Sequence, residues 1–146
     1  MTEKIKFYKT GDPYGSFSNF SKHPIMLKGR VWPTVEHYFQ AQKFVDTKHE
    51  EAVRTCDGPG SAAKMGRDKN LPLRKDWETV KESVMKEALL TKIKQHKDIL
   101  DLLISTKDAE LIEHTVNDSY WGDGGDGSGK NRLGILWMEI RDNLNK

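Results

Sequence analysis

Val31-Trp32-Pro33-Thr34-Val35-Glu36-His37-Tyr38-Phe39-Gln40-Ala41-Gln42-Lys43-Phe44 reads as a strand end, a proline, a capping threonine and then a helix to about Val45. On that helix Glu36, Gln40 and Lys43 fall at i, i+4 and i+7 and so share one face. Val35, Phe39 and Gln42 lie on another, with Tyr38 to the side. A carboxylate held beside Trp32, Tyr38 and Phe39 in a cleft gains proton affinity, which suits acid–base chemistry at neutral pH. The helix macrodipole acts the other way on a first-turn glutamate. Spacing alone therefore leaves two readings: an acid–base residue, or a first-turn stabiliser with Lys43 in solvent.

Outward from this stretch the chain shows no repeat, linker or low-complexity tail. Lys4 to Tyr8 alternates as a short strand. Ile25-Met26-Leu27 and Arg30-Val31-Trp32 flank Lys28-Gly29 as a hairpin. Lys48 to Cys56 reads as a second helix, stopped by Asp57-Gly58-Pro59-Gly60, and Ser61 caps a third helix through Arg67. Asp76 caps the longest helix, about Trp77 to Gln95, whose stripe of Val80, Val84, Met85, Ala88, Leu89 and Ile93 is core rather than a cofactor site. Asp98 to Ser105 is another helix, and Ala109 to Val116 is ambiguous between helix and strand. Asn117 to Gly129 is a polar, glycine-rich loop, and Asn131 caps a last helix ending near Leu144. The expected class is α+β: a mainly helical single domain over residues 1–146 with a small sheet at its N-terminal end.

With 146 residues, such a chain buries about 68–70% of its unfolded surface, enough for one core. No apolar run is long enough for a membrane span, and Met1 to Lys6 lacks the apolar centre of a signal peptide. The single Cys56 forms no internal disulfide, which fits a reducing, cytoplasmic setting; a packed thiol is favoured over a nucleophile. A formal charge of +2, with acids and bases interspersed, does not by itself argue for nucleic acid.

The loop Asp118-Ser119-Tyr120-Trp121-Gly122-Asp123-Gly124-Gly125-Asp126-Gly127-Ser128-Gly129-Lys130-Asn131-Arg132 is the second constellation. Its glycines let backbone approach a ligand, and the following bases resemble a phosphate cradle. Gly124 to Lys130 fits the spacing of a P-loop, but Asn131 replaces its hydroxyl and no clear buried strand precedes it, so a nucleoside triphosphatase is rejected. The acidic residues lack calcium-loop spacing, and the histidines lack zinc spacing, so no metal and no cofactor is expected. A flexible surface loop is the plain alternative, against which stand the large rings of Tyr120 and Trp121. Ser61-Ala62-Ala63-Lys64-Met65-Gly66-Arg67 is the third constellation: small residues for close packing or ligand approach, and an arginine suited to phosphate or equally to solvent.

Taken in order, Phe17-Ser18-Asn19-Phe20, Trp32 to Phe44, Ala63 to Arg67 and Tyr120 to Gly134 make the chain resemble the NADAR (NAD- and ADP-ribose-associated) family over about residues 5 to 144. The resemblance implies a compact, mainly helical α+β domain and an N-glycosidase. Bacterial members are described as hydrolysing ribosylamino-pyrimidine phosphates, early riboflavin-pathway intermediates, to ribose 5-phosphate and a pyrimidine. Other members are described as removing ADP-ribose from guanine. The expected partner is thus a small phosphorylated ribosyl compound, with ADP-ribosylated guanine as the rival and a non-catalytic ADP-ribose or NAD-binding module as the third reading.

Breaking a ribosyl C1–N bond develops positive charge on the sugar, which calls for negative charge and a positioned water. The resemblance assigns those roles to Glu36, with Asp123 as second carboxylate. An aminal substrate can also open to an imine, for which Lys43 is the candidate amine. Phe20 and Trp121 are the stacking candidates, with Trp77 as a third that serves equally as core. Arg67, Lys130 and Arg132 are the expected phosphate ligands. Asn19, Gln40 and Asn131 are expected to supply amide hydrogen bonds, and Gly122 close backbone approach.

Overall fold

The computed structural model describes residues 3–144; the first two residues of the N-terminal stretch and the last two of the chain lie outside the described residues. In chain order the elements are β1 (Lys4–Phe7), a 3-10 turn (Gly15–Phe17), β2 (Ile25–Leu27), β3 (Arg30–Trp32), α1 (Val35–Gln42), α2 (Lys48–Arg54), α3 (Pro59–Gly66), α4 (Trp77–Gln95), α5 (Lys97–Ser105), β4 (Glu110–Glu113) and α6 (Arg132–Leu144). The class is α+β, mainly helical, with two two-stranded sheets among the described residues. The chain divides into two compact units, one from Asn19 to Gln95 and one built from the segments before Asn19 and after Gln95.

In the unit from Asn19 to Gln95, β2 and β3 form an antiparallel hairpin in the register Ile25↔Trp32, Met26↔Val31 and Leu27↔Arg30. Lys28 and Gly29 both take positive φ, 56° and 73°, as a two-residue turn with the right-handed strand twist requires. The centre of the unit is α1, which packs against α2, α3 and α4 and has all eight residues buried. It therefore has no solvent face, contrary to the plain reading of its polar side. Buried polar groups need partners. Tyr38 donates its hydroxyl to Glu87 Oε1 at 2.7 Å, and burial followed by that carboxylate pushes the phenol far up. Gln42 donates to Glu50 Oε2 at 2.9 Å and accepts from Lys28 Nζ at 2.6 Å.

Thr34 starts α1 as the sequence indicates: its Oγ1 accepts the His37 amide at 3.1 Å and lies 2.9 Å from His37 Nδ1. A carbonyl can only accept, so the 3.4 Å contact of His37 Nε2 with the Cys56 carbonyl places the ring proton on Nε2 and leaves Nδ1 to accept from Thr34. Burial lowers the His37 pKa, so the ring stays neutral. Thr34→Ala removes both contacts and is expected to destabilise the protein by about 1–2 kcal/mol, read as a lower urea midpoint at unchanged slope.

Helix α3 begins at Pro59, not Ser61. Proline in the first turn lacks only a donor that would be unpaired there, so the Gly-Pro join that ends one helix starts the next.

In the other unit β1 pairs with β4 in parallel, Lys4↔Glu110 through Phe7↔Glu113. This settles the ambiguous 109–116 segment as a strand at its centre. The pairing partner lies at the far end of the chain, so no local signal reports it. Helix α6 packs on β4. The Phe17 ring lies 5.8 Å from Phe7 and 5.3 Å from Trp137, whose indole donates to the Phe17 carbonyl at 3.0 Å.

Candidate active site

The sequence-predicted site residues fall in both units. Asn19, Phe20, Glu36, Gln40, Lys43, Arg67 and Trp77 belong to the first described; Trp121, Gly122, Asp123, Lys130, Asn131 and Arg132 belong to the other.

In the α1-centred unit, Glu36 is buried and accepts Gln40 Nε2 at 2.8 Å, the i, i+4 contact expected from spacing. Its backbone amide donates to the Asn19 carbonyl at 3.1 Å, which ties Asn19 to the helix start. Asn19 donates weakly to Met85 Sδ at 3.5 Å, and its buried Oδ1 has no hydrogen-bond partner in the protein. An acceptor left so is costly unless a ligand supplies the donor. Phe20 is exposed.

Lys43, just past the end of α1, is half-buried and donates to the Gly66 carbonyl at 3.0 Å. It is not in solvent as the plain reading has it. Burial lowers its pKa, Glu36 opposes that, and Arg67, exposed at the end of α3, adds to the lowering. The Lys43 ammonium also lies 5.9 Å from the Trp77 ring. Trp77 itself is 5% exposed and packs on Phe39 with ring centroids 5.0 Å apart. Its faces are therefore taken by the protein, and it walls the lysine rather than stacking on a base.

In the other unit the backbone amides of the glycine-rich loop are largely taken by acceptors within the protein. The amides of Gly124, Gly127 and Gly129 donate to the carbonyls of Asp118, Asp123 and Asp123, and Lys130 and Asn131 donate to those of Ser119 and Gly122. The amides of Gly125 and Ser128 donate to the carboxylates of Asp123 and Asp126. The loop folds on its own donors, leaving few for an anion. Gly122 is buried, and a Cβ there would stand 2.7 Å from Thr115 Cγ2 and 2.8 Å from the Asp118 carbonyl, so it serves loop closure.

Asn131 departs from expectation twice. Its carbonyl accepts the Ile135 amide at 3.0 Å, but its side chain does not cap α6. Its Oδ1 accepts the Glu113 amide and its Nδ2 donates to the Leu111 carbonyl, each at 2.9 Å, so both ends of the amide clamp β4. Lys130 lies over the Tyr120 ring at 5.4 Å, and Tyr120 meets Trp121 edge-on at 5.0 Å. The Arg132 amide donates to the Tyr120 carbonyl at 3.0 Å.

Asp123 is the centre of this loop. Oδ1 accepts the amides of Thr115 and Gly125 at 3.0 and 2.9 Å, and Oδ2 lies 2.8 Å from His114 Nδ1. Burial would raise its pKa, but His114 and the two amides prevail and hold it below the usual carboxylate range. The sequence motifs did not single out His114; only its alternate position beyond β4 signals it. A depressed carboxylate stabilises the fold above its unfolded pKa of about 3.9, and that contribution is lost as pH falls through the lower folded value. Asp123→Ala leaves two amides without acceptors and is expected to cost about 1–3 kcal/mol, visible as a lower Tm at pH 7 and a smaller difference from wild type below pH 3.

Cys56 is free, and burial pushes its thiol up, which fits a packed rather than a nucleophilic cysteine. No group of His, Cys, Asp or Glu among the described residues has a metal-ligating arrangement, and no helix among them is long and apolar enough to cross a membrane.

A family model described as NADAR domain matches residues 6–145. The N-glycosidase YbiA of Escherichia coli (strain K12) is 58% identical over 140 residues, 96% of this chain and 88% of that one. The riboflavin biosynthesis protein VVA0006 of Vibrio vulnificus (strain YJ016) is 37% identical over 144 residues, 99% of this chain and 39% of that one. The NMR structure of the E. coli protein YbiA superposes with a TM-score of 0.90 at 56% identity, covering 99% of this chain and 87% of that one.

Proposed function

The chain belongs to the NADAR domain family and is an N-glycosidase, and we propose that its substrate is a ribosylamino-pyrimidine 5′-phosphate of the early riboflavin pathway, cleaved to ribose 5-phosphate and a pyrimidine. The observation that carries this reading is the buried Glu36, oriented by Gln40 and lying about two turns before the half-buried Lys43, whose ammonium burial disfavours. The riboflavin name of a relative supports the substrate class.

In this reading Glu36 opposes the positive charge that develops at C1 and holds the attacking water. Asn19 Oδ1, a buried acceptor with no hydrogen-bond partner in the protein, takes an N–H of the pyrimidine. Phe20, exposed beside it, stacks on the base, and Arg67 takes the phosphate. Asp123 positions its loop, through His114, Thr115 and Gly125, rather than touching the sugar.

The lowered pKa of Lys43 favours a specific route. The aminal opens to an imine at C1. The neutral Lys43 amine adds to C1, and the pyrimidine leaves as its amine, taking the proton. Water activated by Glu36 then hydrolyses the lysine imine, freeing the C1 aldehyde and regenerating the amine. We place the reaction in the cytoplasm, where the free Cys56 stays reduced.

Incubating the pure protein separately with a ribosylamino-pyrimidine phosphate and with ADP-ribosylated guanosine tests the substrate. Free pyrimidine, read by mass spectrometry, is the expected product. Release of ADP-ribose alone assigns the rival activity, and binding without release in either tube assigns a non-catalytic module.

A further inference from the structure

Gly66, the last residue of α3, meets Gln40 of α1 and Lys43 just past the end of α1. A Cβ built on Gly66 would stand 1.9 Å from Gln40 Oε1 and 2.6 Å from Gln40 Cδ. The Gln40 amide can therefore lie in its present place, donating to Glu36 at 2.8 Å, only because position 66 has no side chain. At the same time the Gly66 carbonyl accepts Lys43 Nζ at 3.0 Å. The hydrogen side of the residue seats the amide that orients the carboxylate, and its carbonyl side seats the amine. Gly66 has no positive φ, so backbone conformation does not demand glycine here. Alanine is normally the better residue within a helix.

We infer that Gly66 is a positioning residue of the proposed reaction: it sets the Glu36 carboxylate and the Lys43 amine against each other by admitting the Gln40 amide on one side and accepting the lysine on the other. The inference rests on the catalytic reading of Glu36. A methyl at 66 displaces the flexible end of Gln40, which takes its amide from Glu36 and loosens the carboxylate beside Lys43, while α3 and Arg67 keep their places. Substrate contacts made by other residues are untouched, so turnover suffers and affinity does not.

The test compares Gly66→Ala, Gln40→Ala, the double variant and Glu36→Gln with the wild type, measuring kcat, KM and Tm on the ribosylamino-pyrimidine phosphate. Gly66→Ala is expected to lower kcat roughly 10–100-fold with KM within about twofold, the scale of a misplaced reacting group. In the double variant the methyl occupies space vacated by the amide. Its kcat should match that of Gln40→Ala alone, and its Tm should be no lower. Should Gly66→Ala fail to fold, the double variant against Gln40→Ala carries the comparison. Wild-type kcat in Gly66→Ala, or losses that multiply in the double variant, overturns the inference. Full activity of Glu36→Gln removes the proposed function and this inference together; an inactive Glu36→Gln beside a fully active Gly66→Ala removes this inference alone.

Discussion

Glu36→Gln is expected to fold as wild type and to lose hydrolysis about 10²–10⁴-fold, the usual contribution of a positioned acid–base group. The replacement keeps volume and shape in a buried site, and its amide oxygen can still accept from Gln40 Nε2, now at 2.8 Å from the carboxylate. What disappears is the charge that opposes cation development at C1 and the basicity that activates water. The competing reading, a first-turn glutamate serving the helix dipole, predicts about 0.3–1 kcal/mol of lost stability and no loss of turnover. Circular dichroism, urea unfolding and product release together separate the two. Wild-type turnover in a folded Glu36→Gln protein would falsify the catalytic assignment.

Lys43→Ala carries the second large effect. Removing the amine closes the imine route, so turnover should fall by a similar factor, and borohydride added during turnover should label the wild type but not the variant. The pH profile supplies an independent check. The reacting form is the neutral amine, so the rate rises with pH, and burial places that rise below the ordinary lysine value of about 10.4. A variant that stays active, with no borohydride adduct on the wild type, eliminates the imine and leaves direct water attack at Glu36.

Much of the α1 site was legible because its chemistry is local. Thr34 as cap and the Glu36–Gln40 contact follow from helical spacing, and both appear as hydrogen bonds. The glycine loop could be read two ways from sequence for a physical reason: glycines permit backbone to approach a ligand, but they equally permit a loop to close on itself, and here Asp123 and the loop carbonyls supply acceptors for its amides. Trp77 and Asn131 carried the same ambiguity. An aromatic ring or an amide suits a ligand, yet Phe39 covers the ring and β4 takes both ends of the amide.

The sequence by itself determined most of the helices, the hairpin turn and the ordered motifs, because periodicity, capping and turn chemistry act over a few residues. Only the tertiary structure decided which polar groups are used internally and which are presented. Parallel pairing of β1 with β4 joins residues from opposite ends of the chain. The burial of all of α1 turns a helix that looks half-solvated into the centre of its unit. Gly66, a small residue in a short helix, acquires its meaning only where Gln40 and Lys43 meet it. Such long-range contacts leave no local signature, since a side chain's hydrogen-bonding capacity is fixed by its chemistry, while the partner that fills it is fixed by packing.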